Sequence, residues 1–254
     1  ARLAARPTSV KAVTRLPSLA YLLDEAAPYF SYGFVYMLLI FLPHGFAWLG
    51  ALPAGQPRSA AVTNIEIGLT LSMPPLILAY GVAEYSLRLF WRRVLANQAA
   101  TPAVNIGRFG ALLLAFVARR RWVYLVVLTV LTVIARGLFA QALAEGWLGR
   151  WLQPTHPAQL LAIYDVSLLA YWLLGLGLFN CMFAVTLGRP ESAFRAVVWS
   201  GIVMIVAGSM LAALNFAFSV VAFAIAAFVF AAISWEETNQ VLHTADYSFA
   251  SVLS

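Results

Sequence analysis

The sequence predicts an all-α, polytopic membrane protein built as a six-helix transmembrane bundle. Three observations carry this. Of 254 residues, 63% are hydrophobic and only 10% charged, where a soluble domain carries about 25% charged residues. The mean hydropathy is +0.85. The apolar stretches are continuous, without the period-two alternation of a transmembrane β-barrel. Six of them are long enough, at 1.5 Å per residue, to cross roughly 30 Å of hydrocarbon.

Residues 1–23 hold Arg2, Arg6, Lys11 and Arg15 with Pro7 and Pro17 and read as a basic lead-in. Asp24, Glu25 and Pro28 then open the first span, about 27–51. Acids suit the positive end of a helix dipole, and proline suits a first turn whose N–H has no partner. Pro43-His44-Gly45 inside this span predicts a kink or break. After a loop at 52–63, the second span covers about 64–90. Its Pro74-Pro75 removes two backbone donors and must distort the helix. The connection at 91–121 is the longest polar one. Ile106, Phe109, Leu112, Leu113, Phe116 and Val117 lie in it at helical spacing and predict an amphipathic interfacial helix near 104–118. The third span is about 122–144. Trp147 and Trp151 mark an interfacial loop at 145–158. The fourth span is about 159–187, where Gly175 and Gly177 allow close helix packing. The fifth and sixth, about 193–213 and 216–235, are separated by little more than Asn215.

The sixteen basic residues sort by loop. Four lie in the lead-in. Seven (Arg88, Arg92, Arg93, Arg108, Arg119, Arg120, Arg121) lie around the long connection, and Arg189 and Arg195 at a later turn. The opposite loops hold Arg58 and Arg150, and Arg136 lies inside a span. This asymmetry predicts both termini in the cytoplasm. It also accounts for the net charge of +6 without nucleic acid. The single cysteine, Cys181, excludes a disulfide framework. No metal-ligand spacing, P-loop, G-x-S-x-G or G-x-G-x-x-G is present, so neither an enzyme nor a cofactor or metal site is expected.

Charge inside hydrocarbon is expensive unless paired or hydrated, and so points to function. Arg136 lies about 21 Å from the basic end of its span, and Asp165 falls at a similar depth in the next. They are expected either to pair structurally or to line a common polar cavity. Glu66 is a third candidate for that layer. Glu84 is expected to pair with Arg88 one turn on. His44 suits a hydrogen bond at a helix break, a proton relay or a sugar contact. Tyr29, Tyr32 and Tyr36 share one helix face. Tyr29 suits an aromatic belt, while Tyr32 and Tyr36 could equally line a passage. His156 reads as a loop residue.

The segments Pro28-Tyr29-Phe30-Ser31-Tyr32-Gly33-Phe34-Val35-Tyr36, Phe41, Ala47-Trp48, Glu66-Ile67-Gly68 and Gly81-Val82-Ala83-Glu84-Tyr85 form one group. Together with the ending Leu242-His243-Thr244-Ala245-Asp246-Tyr247-Ser248-Phe249-Ala250, they resemble the later half of the integral-membrane exporter family of the Pel exopolysaccharide system. That family is similar to the polysaccharide flippases. The resemblance implies about twelve spans in two bundles, of which this chain would be the second, and the missing initiator methionine agrees with that expectation. It also implies a bacterial inner-membrane location, a cytoplasmic glycosyltransferase and membrane scaffold subunits as partners, and cyclic-di-GMP control through a partner. Where the family tends to carry an acidic–basic pair, this chain has Pro43-His44. The expected function is export of a Pel-type exopolysaccharide through a passage lined by Glu66, Arg136, Asp165, Tyr32, Tyr36 and His44. The alternatives are a flippase for lipid-linked oligosaccharide, a scaffold subunit of a polysaccharide synthase, and a membrane enzyme acting on lipid-linked sugars.

Overall fold

The computed structural model describes residues 18–51, 58–95, 106–148 and 157–252, and among these every regular element is a helix. The order is α1 (Leu19–Ala51), α2 (Arg58–Ser72), α3 (Pro74–Phe90) with a π-helical turn at Trp91–Leu95, then α4 (Ile106–Ala144). α5 (Pro157–Thr186), α6 (Pro190–Leu214), a 3-10 turn at Phe216–Phe218 and α7 (Ser219–Val252) complete it. Six segments are long and apolar enough to cross a membrane: Ala26–Leu49, Val62–Arg93, Gly110–Ala144, Pro157–Thr186, Pro190–Leu214 and Ser219–Thr244. The second of these combines α2 and α3.

The helices alternate in direction. One end of the bundle carries Arg88, Arg92, Arg93, Arg119–Arg121, Arg189 and Arg195 and is called here the basic end. There Thr238 donates to the Asn180 carbonyl at 3.0 Å and Arg195 pairs with Glu237 at 2.7 Å. At the other end Trp48 meets Glu66, Phe139 stacks on Tyr164, and Phe46 covers Gly208.

α5 is the central helix. Of its most apolar window 61% is buried, against 17% for α4 at the periphery. Lipid tails are as apolar as leucine, so membrane helices associate by close fit and not by excluding water. α5 supplies the fit with small residues. A side chain at Gly175 would meet Leu76, Tyr124 and Leu128 at 2.8–3.1 Å, and one at Gly177 would run into the Phe230 ring of α7. Aromatic pairs then fix the layers: Tyr124 on Phe179 at 4.6 Å and Tyr171 edge-on to Phe223 at 5.2 Å. Such pairs contribute about 0.5–1.5 kcal/mol each beyond burial.

Several local features differ from the sequence expectation. α1 runs through Pro43-His44-Gly45 as helix, so the break expected there is not found. Pro43 is itself buried. The discontinuity falls at Pro74-Pro75: α2 ends at Ser72, Met73 bends, and α3 restarts with the prolines in its first turn. The Ser72 hydroxyl donates to the Leu69 carbonyl at 2.9 Å. The interfacial helix expected near 104–118 and the third span are one helix, α4. Residues 19–23 of the lead-in are already helical, residues 58–63 of the expected first loop belong to α2, and α7 continues to Val252 in place of a polar tail. Asn215 breaks the α6–α7 junction with extended backbone, and its Oδ1 accepts from the Ala217 N–H at 2.9 Å. Residues 1–17 of the lead-in, Trp151 and His156 lie outside the described residues.

Candidate functional site

The six residues singled out for the passage fall in three places. Arg136 on α4 and Asp165 on α5 meet directly. Nε donates to Oδ1 at 3.0 Å and an Nη donates to Oδ2 at 3.1 Å, giving a two-pronged pair. The fork geometry matches the planar guanidinium to the carboxylate and is the strong form of this contact. Depth follows from the helix rise: fifteen residues separate Arg136 from Arg121 at the basic edge, or about 22 Å.

The pair does not lie in the packed interior. Its side chains are 57% and 34% exposed, and it lines a groove of about 460 Å³ on the outer face of the α4–α5 hairpin. Thr129, Thr132, Leu168, Leu169 and Trp172 form the rest of the wall. Trp172 donates from Nε1 to the Thr129 hydroxyl at 3.0 Å, while the Thr132 hydroxyl turns back to the Leu128 carbonyl at 2.8 Å. Chemically, the groove offers an ion pair, two hydroxyls and the flat indole of Trp172. Hydroxylated substrates use all three: charged groups and hydroxyls bind sugar hydroxyls, and an indole face packs on a sugar ring.

Glu66 and His44 form a second polar spot between α1 and α2. The Trp48 indole donates to Glu66 Oε1 at 2.8 Å. His44, one turn before Trp48, lies within electrostatic reach of Glu66 and packs at 6.4 Å from the Phe41 ring. Gly68 packs on Ile163, and since α2 and α5 run the same way, Glu66 lies about one helical turn, roughly 6 Å, farther from the basic end than Asp165. Its side chain turns to α1, and it forms no wall of the Arg136–Asp165 groove.

Tyr32 and Tyr36 lie in a third place, the main hydrophobic core. Their rings are 6.2 Å apart, and Tyr36 is 6.2 Å from Phe230. The Tyr32 hydroxyl is buried beside Cys181. Tyr29 is exposed, as a belt residue would be. Glu84 and Arg88 form no ion pair, although one was expected from their spacing.

Sequence reasoning missed Thr129, Thr132 and Trp172. Their signal was present: Thr129 and Thr132 precede Arg136 by seven and four residues, and Trp172 follows Asp165 by seven, so each shares a helix face with its charge. It also missed the role of Arg121, which is buried between α4 and α7.

Fold and site together define a six-helix membrane protein with a paired-charge groove at membrane depth. No family model matches the chain, and no curated protein or solved structure matches it.

Proposed function

We propose that this chain is a membrane-embedded subunit of a saccharide exporter, and that the Arg136–Asp165 groove is one wall of the passage. The carrying observation is the position of the pair. A forked ion pair at membrane depth, opening outward beside two threonines and a tryptophan, is costly against lipid and suited to a hydroxylated chain. The discontinuous second span, with its bend at Met73-Pro74, adds support, because transporters build sites and alternate packings around broken helices.

In this reading the basic end faces the cytoplasm of a bacterial inner membrane. The groove faces a second bundle, and the substrate is an exopolysaccharide of the Pel type, delivered by a cytoplasmic glycosyltransferase within a complex that includes membrane scaffold subunits. Glu66 with His44 and Trp48 forms a separate polar contact, and Tyr32 and Tyr36 act as packing residues. The scaffold reading draws its support from the forked geometry itself, since such a pair also clamps α4 to α5. Secreted polymer and protein level, measured for Arg136→Leu, Asp165→Leu and the double variant, separate the two. An exporter gives a double variant with restored protein and lost polymer. A scaffold gives one with both restored.

A further inference from the structure

Three consecutive arginines of α4 enter three environments, and the split points to a ligand. Arg121 is 5% exposed. Its guanidinium lies 3.6 Å over the Trp235 ring, and both Nη atoms donate to Asn239 Oδ1 at 3.2 Å. This anchor sets the rotation of α4. Arg120, about 100° around the helix, lies 5.5 Å over Phe116, whose ring is 5.9 Å from Phe90 at the end of α3. There the π-helical turn delivers Trp91, Arg92 and Arg93, all exposed, while exposed Arg88 precedes it and exposed Arg119 sits on α4. Among the described residues none of these five arginines forms an ion pair. Toward the membrane interior the residues on that side are apolar and open: Tyr85 of α3 is 58% exposed, and Val123 and Val130, seven and fourteen positions after Phe116 on its face of α4, are 40% and 51% exposed.

We propose that the basic end of the α3–α4 seam binds the headgroup phosphate of an acidic phospholipid, with its acyl chains lying along Tyr85, Val123 and Val130. Unpaired guanidinium forks match phosphate oxygens. Trp91 sits where indoles anchor at headgroup level. The apolar strip beside the charges selects a lipid over a soluble anion, which would leave that strip bare. The site stands apart from the Arg136–Asp165 groove and does not depend on its role.

The test is native mass spectrometry of the full chain in mild detergent after equal exposure to phosphatidylglycerol and phosphatidylcholine. The protein is expected to retain the acidic lipid preferentially. An arginine at the headgroup layer contributes about fivefold, so R92Q/R93Q/R120Q reduces the preference by more than about tenfold. Arg189→Gln, at another turn of the basic end, leaves it unchanged. Should the triple variant lose its thermal transition, R88Q/R93Q changes exposed residues only and gives the same reading to a smaller extent. Equal retention of both lipids, a preference unchanged by these variants, an equal loss in Arg189→Gln, or displacement by millimolar inorganic phosphate would each overturn the proposal.

Discussion

At the scale of residues, the same amino acid does different work according to its helix face. Arg119 and Arg121 are two positions apart, yet one is exposed and the other is sealed between α4 and α7 against Trp235. Arg121→Met should therefore lower unfolding stability by about 2 kcal/mol, the worth of a desolvated cation–π contact. Arg119→Met should stay within about 0.5 kcal/mol, as surface changes do. Chemical or thermal unfolding in detergent reads both. The same assay distinguishes glycines. Gly177→Ala drives a methyl group into Phe230 and should cost about 1–3 kcal/mol, whereas Gly137 has nothing within 4 Å of a new Cβ, so Gly137→Ala should be neutral or slightly stabilising. For the ion pair, removing either partner leaves a charge unpaired on an open wall, where the two side chains are 57% and 34% exposed and such pairs are worth up to about 1 kcal/mol. Arg136→Leu and Asp165→Leu should each lower stability, and the double variant should recover most of it.

At the scale of elements, the break in the second span matters most. Two adjacent prolines were legible as a distortion because the chemistry is local: each lacks an N–H whatever surrounds it. Pro43 has the same local deficit, yet α1 continues through it. Packing decided that case, with Pro43 buried and Phe46 seated against Gly208, and no reading of α1 alone contains α6. The long α4 was misjudged for a related reason. Arg119–Arg121 looked like a membrane edge that ends an interfacial helix, but helix continuation across an edge costs nothing when one arginine is anchored inside and its neighbours reach outward. Replacing Pro74 and Pro75 with alanine should make the second span one straight helix. In the exporter reading, protein level holds while polymer secretion falls severalfold; secretion unchanged with the span straightened would remove the break from the mechanism.

At the scale of the whole molecule, the bundle class and its six spans were legible because length and apolarity dominate in lipid. The meeting of Arg136 with Asp165 was legible as a shared depth across one hairpin. What could not be read was direction around each helix axis. Depth grouped Glu66 with the pair, but the rotation of α2 sends its carboxylate to Trp48. Helical spacing grouped the three tyrosines on one face, but only the assembled bundle shows that face entering the core at Tyr32 and Tyr36. The central claim is that the Arg136–Asp165 groove meets water, not lipid. Cys181 is the only cysteine and is buried, so a Cys181→Ala background admits single probes. Thr132→Cys and Leu169→Cys line the groove, and Val126→Cys faces outward elsewhere on α4. The most direct measurement is their labelling by a charged, membrane-impermeant maleimide in intact membranes that carry the complete export complex. Labelling is expected at 132 and 169, with none at 126. Labelling no greater at 132 and 169 than at 126 would contradict it.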